Sequence, residues 1–153
     1  MQQPLMDDIS LRSRAISLLA RREHCRAELL RKLTQRGGQK EVLEALLDEL
    51  EAEGLLSEAR FVEAFVHSRT QRGQGPVKIR AELSRRGVGD DLMERFLTRT
   101  SDSWLELARS ARVRRFGEDS PDDKQAWARQ ARFLSSRGFP ADLIYSALSL
   151  PRD

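Results

Sequence analysis

The side chains best suited to chemistry in this sequence are arginines, which account for 23 of its 27 basic residues. A guanidinium group binds phosphate or carboxylate through paired hydrogen bonds and is weakly hydrated, so it suits interfaces with anionic partners. A GC-rich genome also favours arginine codons, and composition alone does not separate the two explanations. The placement of the arginines is therefore more informative than their number.

The charge alternates along the chain in blocks. Residues 9–40 carry nine basic and two acidic residues, a net +7, whereas residues 41–63 carry one basic and eight acidic residues, a net −7. Three further blocks have net charges of +5 (64–89), −3 (90–108) and +4 (109–137). The formal net charge of +3 thus hides three basic blocks, which suit a phosphate backbone or an acidic protein groove.

Nucleophilic and metal chemistry have little support in the sequence. The single cysteine, Cys25, excludes an intramolecular disulfide and a multi-cysteine metal site. Adjacent helical residues point about 100° apart, so Cys25 and His24 are not a nucleophile with its base, and we expect Cys25 to be inert and half-buried. The acidic side chains of residues 41–51 are typical of a solvated helix face, and Gly73-x-Gly75 indicates a helix break more than a phosphate loop. We expect no enzymatic activity, no cofactor and no metal.

A repeat of about 50 residues positions the basic blocks. The sequences Leu-Thr-Gln-Arg-Gly, Leu-Ser-Arg-Arg-Gly and Leu-Ser-Ser-Arg-Gly end at Gly37, Gly87 and Gly138. Apolar residues follow each glycine at offsets of 5, 6, 9 and 10 with a single alanine among them, which is one stripe of a helix. The same pattern at the same offset three times predicts three tandem units.

Each unit is predicted to contain three helices. The apolar period places those of the first unit over about 8–22, 26–35 and 40–52, with Val42 on the buried stripe of the third.

Caps and prolines mark the helix starts in the other two units. We expect Ser57 to cap the first helix of the second unit, Pro76 to begin its second helix and Asp90 its third. In the third unit, Pro121 is expected at the first position of the second helix, and Pro140 at the start of the third.

The predicted fold is therefore all-α: a tandem array of three three-helix repeats, elongated and curved, over 1–55, 56–100 and 101–153. No alternating run of β-branched residues predicts a strand. The glycines near 54 and 73–75 are the expected sites of flexing. No segment has the length and apolarity of a membrane span, and the polar N-terminus does not have the pattern of a secretory signal, so we expect a cytoplasmic monomer with no membrane contact.

Three segments carry a resemblance to a known family: RREHCRAELLRKL at 21–33, GLLSEARFV at 54–62 and GPVKIRAELSRRGV at 75–88. Their order and spacing resemble the RecX family, small bacterial regulators of the recombinase RecA. The resemblance covers most of residues 10–150 and weakens after Arg99. The chain departs from the family pattern at Cys25, where serine is common, and at 57–59, where two acidic residues and a small one are usual.

The resemblance implies a regulator, mainly an inhibitor, of RecA. Such a protein binds RecA filaments on single-stranded DNA, lodges in the filament groove and suppresses ATP hydrolysis and strand exchange, which modulates recombination, DNA repair and the SOS response. It also implies phosphate contacts with single-stranded DNA, and with duplex DNA in some members. The matched basic positions are Arg21, Arg22, Arg26, Arg31, Lys32, Arg69, Lys78 and Arg80. We add three residues from charge crowding alone: Arg112, Arg114 and Arg115.

Two other functions stay open at this point. One is a sequence-independent helical DNA-binding protein without a recombinase partner, and the other is a helical adaptor that binds only proteins. The sequence does not decide which helix face meets RecA or DNA. Nor does it decide whether inhibition works by filament capping, by disassembly or by blocking the groove.

Overall fold

The computed structural model describes residues 7–98 and 101–149, which form nine α-helices and no strand. The first three helices are α1 (Asp8–Arg21), α2 (Arg26–Gln35) and α3 (Lys40–Ala52). The next three are α4 (Glu58–Gln71), α5 (Pro76–Arg85) and α6 (Asp90–Leu97). The last three are α7 (Ser101–Phe116), α8 (Lys124–Ser136) and α9 (Ala141–Ala147). The prediction of an all-α chain built from successive groups of three helices is confirmed.

The chain divides into two compact units. The first comprises Met1–Ala64 with Arg86–Gly89, and the second comprises Phe65–Arg85 with Asp90–Asp153. The predicted repeat boundaries at 55/56 and 100/101 stay a prediction. No helix in the described ranges is long and apolar enough to cross a membrane.

Leucines from α1, α2 and α3, together with Leu56 of the loop after α3, form the core of the first unit. Members of this cluster that are almost fully buried are Leu11, Leu29, Leu33, Leu43, Leu47, Leu50 and Leu56. Burying each leucine side chain contributes about 1.5–3 kcal/mol, so this cluster decides how the three helices pack. The prediction that Val42 is buried is wrong, because 37% of it is exposed. Position 42 lies about 100° around α3 from Leu43, at the edge of the stripe that α1 and α2 cover.

The helix starts follow the local capping chemistry. Ser57 caps α4 as predicted, with its Oγ accepting from the Arg60 N–H at 3.2 Å. Pro121 is not the first residue of α8, since Asp123 is the N-cap and its carboxylate accepts from the Ala126 N–H at 2.7 Å. An ionised aspartate satisfies a helix N-terminus directly, which leaves Pro121 in the preceding loop.

Two glycines in the second unit allow a close backbone approach. The Gly75 N–H donates to the Arg137 carbonyl at 2.7 Å, and the Val77 N–H donates to the Gly138 carbonyl at 2.9 Å. A Cβ on Gly138, where φ is +95°, would lie 2.7 Å from the Lys78 nitrogen, and a Cβ on Gly75 would lie 2.6 Å from the Gly138 oxygen. The helix break at 73–75 is as predicted, and Gly75 packs closely against Gly138 there. Flexing near residues 54 and 73–75 stays a prediction.

Candidate RecA and nucleic-acid interface

The buried carboxylate of Glu28 organises the basic residues at the start of α2. Only 8% of its side chain is exposed, and Arg22 donates to its two oxygens at 3.0 and 2.8 Å. Lys32 and Arg86 place nitrogens 4.0 and 3.9 Å away. Burial opposes ionisation of Glu28, but the hydrogen bond and charge of Arg22, helped by Lys32, outweigh it and lower its pKa. Arg22 and Lys32 therefore lie in an internal ion network.

His24 completes this network. It is 1% exposed, with Nδ1 3.0 Å from the Arg22 carbonyl and Nε2 3.0 Å from the Lys32 ammonium. Because an ammonium group can only donate, Nε2 accepts and Nδ1 carries the proton that it donates to Arg22. Burial lowers the pKa of His24, which favours the neutral ring. This structural role of His24 was missed from the sequence, where nothing marks the side chain as buried.

Cys25 is fully buried at the N-cap of α2, rather than half-buried as expected. Its Sγ lies 3.5 Å from the Arg86 carbonyl. Burial raises the pKa of the thiol, so the reactive thiolate is disfavoured. Among the residues that the structure describes, no group of three His, Cys, Asp or Glu side chains is placed to hold a metal ion.

Arg26 reaches across the first unit to the acidic face of α3. Its guanidinium lies 2.8 Å from Asp48 and 3.0 Å from Glu51, and it donates to the Glu44 carbonyl at 3.1 Å. The expectation that this acidic face is merely solvated is therefore wrong in part, because it also anchors α2 to α3.

Two predicted residues of the second unit are also paired. Arg69 lies 3.3 Å from Glu82 and 4.5 Å above the Phe65 ring. Arg80 forms an ion pair with Glu94, which joins α5 to α6. Arg69 thus links α4 to α5 and Arg80 links α5 to α6 within the protein itself.

Arg112 is buried inside the second unit, with 9% of the residue exposed. Its guanidinium donates to the Asp119 and Glu118 carbonyls at 3.1 and 3.3 Å, and to the Gln130 amide oxygen at 3.4 Å. These bonds satisfy backbone carbonyls in the loop between α7 and α8. The side chain therefore lies in the interior, apart from Arg114 and Arg115 at the surface.

The other predicted cations have no carboxylate partner within the described ranges. Arg21 and Arg31 are exposed on α1 and α2, and Lys78 is half-buried on α5. Arg114 donates to the Gln71 carbonyl at 3.3 Å, and the Arg115 guanidinium lies 5.3 Å from the Phe116 ring centroid. Their charges are therefore available to an anionic partner.

Arg114 and Arg115 also line a pocket in the second unit, which we call the arginine pocket. Its volume is about 210 Å³, and its walls are Arg72, Gly73, Ala111, Arg114, Arg115, Phe133 and Arg137. Arg72 and Arg137 were absent from the predicted site. Each lies between the end of a helix and a glycine of positive φ, at Gly73 and Gly138. No pattern in the sequence indicates that the two arginines meet.

Comparison with known proteins covers most of the chain. Residues 57–97 match the family model for the second three-helix domain of RecX, and residues 101–148 match that for the third. The chain is 48% identical over 138 residues to the regulatory protein RecX of Halorhodospira halophila, spanning 90% of this chain and 86% of the relative. It is also 48% identical to that of Pseudomonas syringae pv. tomato, over 92% of this chain and 91% of the relative.

Solved structures show the same fold at lower identity. The crystal structure of RecX from Lactobacillus salivarius has a TM-score of 0.79 at 22% identity, over 92% of this chain and 94% of that one. A second crystal structure of a regulatory protein RecX has a TM-score of 0.77 at 20% identity, over 92% of this chain and 70% of that one. The family models, the relatives' identity along nearly the whole chain and the shared helical fold agree, and the chain belongs to the RecX family.

Proposed function

We propose that this protein regulates, and mainly inhibits, the RecA recombinase. It binds RecA filaments on single-stranded DNA, lies in the filament groove as a monomer, and suppresses ATP hydrolysis and strand exchange. Recombination, DNA repair and the SOS response are modulated as a result. The observation that carries the proposal is the 48% identity to regulatory proteins named RecX over about nine-tenths of the chain.

The ion pairs divide the proposed contact residues into two groups. Five cations without a carboxylate partner in the described residues contact RecA or DNA directly: Arg21, Arg31, Lys78, Arg114 and Arg115. The remaining six hold the helices that carry the first group: Arg22, Arg26, Lys32, Arg69, Arg80 and Arg112. A cation without a carboxylate partner has no ion pair to give up on binding, so its contact costs less.

The test is RecA ATPase activity on single-stranded DNA with increasing amounts of the protein. We expect suppression at substoichiometric amounts. The double variant Arg21→Gln/Arg31→Gln should need several-fold more protein for half-suppression, because two direct contacts are removed. Arg36→Gln/Lys40→Gln is the matched control: both residues are exposed, lack a carboxylate partner in the described ranges and lie outside the proposed contact set. Unchanged ATPase activity in excess wild-type protein would overturn the proposal.

The alternative is a sequence-independent DNA-binding protein without a recombinase partner. The three basic blocks favour it independently of the family relationship. It predicts equal affinity for bare single-stranded DNA and for RecA-coated DNA, which a direct binding comparison at one salt concentration measures.

A further inference from the structure

The arginine pocket gathers four arginines and has no acidic residue in its walls. Its four arginines come from three parts of the second unit: Arg72 follows α4, Arg114 and Arg115 lie on α7, and Arg137 follows α8. No aspartate or glutamate is among the residues that line it. Several arginines elsewhere are paired with carboxylates, as Arg26 is with Asp48 and Glu51.

Four guanidinium groups around a volume of about 210 Å³ repel one another. Arg72, Arg114 and Arg115 are exposed and Arg137 is half-buried, so salt screens part of this repulsion. An anion that enters the pocket replaces this repulsion with charge-assisted hydrogen bonds. The electrostatics therefore favour an occupied pocket, and the occupant must be negative.

Three of the four guanidinium groups have contacts within the protein before any ligand arrives. Arg114 donates to the Gln71 carbonyl at 3.3 Å. Arg115 and Arg137 lie 5.3 and 5.4 Å from the ring centroids of Phe116 and Phe133. These two rings meet edge to face, with centroids 5.3 Å apart. Binding thus orders few new rotamers, which lowers its entropic cost.

The pocket has room near Gly73 because this residue has no side chain. A Cβ there would lie 3.2 Å from the Arg114 Nη2, and φ is +78°. Glycine at the end of α4 therefore leaves the Arg114 guanidinium unobstructed on that side of the pocket.

The residues that line the pocket favour nucleic acid over an acidic peptide as its ligand. A strand of nucleic acid carries a negative charge at every nucleotide, whereas a peptide matches this only where each residue is acidic. Phe133 adds an aromatic wall to the charged one, and this combination is typical of sites for single-stranded nucleic acid. A base in a duplex is stacked and paired, so its face cannot reach such a wall.

We propose that the arginine pocket binds a phosphate group of single-stranded nucleic acid together with its attached nucleoside. This inference rests on the proposed function and gives it a defined DNA contact. The phosphate belongs to the strand backbone or to a free nucleotide, and the test separates these two sources.

The test measures fluorescence anisotropy of a labelled dT oligonucleotide of about 12 nucleotides, within the size range that single-strand sites cover. Arg115→Gln/Arg137→Gln should weaken binding about tenfold or more, because two charge-assisted contacts are lost. Arg129→Gln/Arg132→Gln is the matched control: it removes two charges from exposed positions of α8 outside the pocket. It should weaken binding less than threefold. Thermal unfolding by circular dichroism checks that both variants fold.

Competition separates the ligand sources. Displacement by dTMP at millimolar concentration assigns the site to a nucleotide unit, whereas displacement only by unlabelled oligonucleotide assigns it to the backbone. Equal competition by inorganic phosphate and dTMP would overturn the nucleoside part of the proposal. Equal weakening by the two double variants, or equal affinity for duplex and single strand, would overturn the pocket as a whole.

The RecA ATPase assay distinguishes this inference from the proposed function. If the wild type binds the oligonucleotide through the pocket but does not suppress RecA, the proposed function fails and the pocket stands. If the pocket variant suppresses RecA normally and binds the oligonucleotide as tightly as the wild type, the pocket fails and the proposed function stands.

Discussion

At the scale of single residues, the largest gain from the structure is the separation of paired from unpaired cations. The sequence predicts where basic side chains are abundant, but Arg26 meets Asp48 and Glu51 only after α2 packs on α3. Likewise, Arg22 and Lys32 look unpaired in the sequence, but both lie against the buried carboxylate of Glu28. The pairing depends on tertiary contacts that no local pattern contains, so the sequence predicted a set of candidates rather than a site.

The His24–Glu28 network makes stability depend on pH. The folded state lowers the pKa of His24 from its ordinary 6.5, mainly by burial, so the unfolded chain binds more protons near that pH. Stability is therefore fully present above about pH 6.5 and falls as the pH drops below it. The lowered pKa of Glu28, ordinarily 4.5, has the same sign: its contribution is present above that value and is lost at lower pH. We expect the midpoint of thermal unfolding to fall in two stages between pH 7.5 and pH 3.5.

Substitution assigns the first stage of this loss. His24→Asn should reduce the change in unfolding midpoint between pH 7.5 and pH 5.5, after an overall loss of stability. His67→Asn, on an exposed position of α4, is the control and should leave the pH dependence unchanged. The same slope in wild type and His24→Asn would show that other groups control it.

At the scale of elements, the sequence predicted the helices well because their signals are local. The predicted ranges 26–35 and 40–52 match α2 and α3. The errors occur where more than one residue could start a helix. At α8 the sequence favoured Pro121 as the first residue, but the helix begins after Asp123, which is its N-cap. The close approach of Gly75 to Gly138 could not be predicted, since neither segment contains a pattern that indicates contact with the other.

This close approach predicts a difference between two glycine substitutions in the second unit. Gly138→Ala should destabilise the protein by about 2 kcal/mol or more, because a positive φ and a clash with Lys78 add together. Gly117→Ala has a similar φ of +85° but nothing within 4 Å of the added carbon. It should cost about 1 kcal/mol, from backbone strain alone. Urea unfolding measures both, and equal losses would mean that the close contact relaxes at no cost.

At the scale of the whole molecule, alternating charge blocks determine how a basic protein with a net charge of only +3 meets a polyanion. The acidic block after residue 40 neutralises Arg12 and Arg26 within the first unit. The number of cations left for a partner is thus much smaller than 27, and salt sensitivity should reflect that smaller number.

The salt dependence of single-stranded DNA binding tests this conclusion. Each phosphate contact contributes a slope of about −0.7 to a plot of log affinity against log salt concentration. Arg21→Gln/Arg31→Gln should therefore make the slope shallower by about 1.4. Arg26→Gln removes a side chain that is already ion-paired and should change stability more than slope. A full change of slope for Arg26→Gln would mean that its internal ion pairs open on binding.

The backbone bonds between Gly75 and Arg137, and between Val77 and Gly138, also bear on how the chain can be divided. They join residues more than 60 positions apart. A fragment that stops at residue 98 would retain α5 and α6, yet two N–H groups near the start of α5 would lose their acceptors. Water would replace these acceptors in the fragment, so each lost bond would cost about 0.5–1.5 kcal/mol. Such a fragment should therefore be less stable than the same helices in the full chain. Expressing the helical groups one at a time is therefore a poor way to assign their separate activities, and point substitutions in the full chain are the better test.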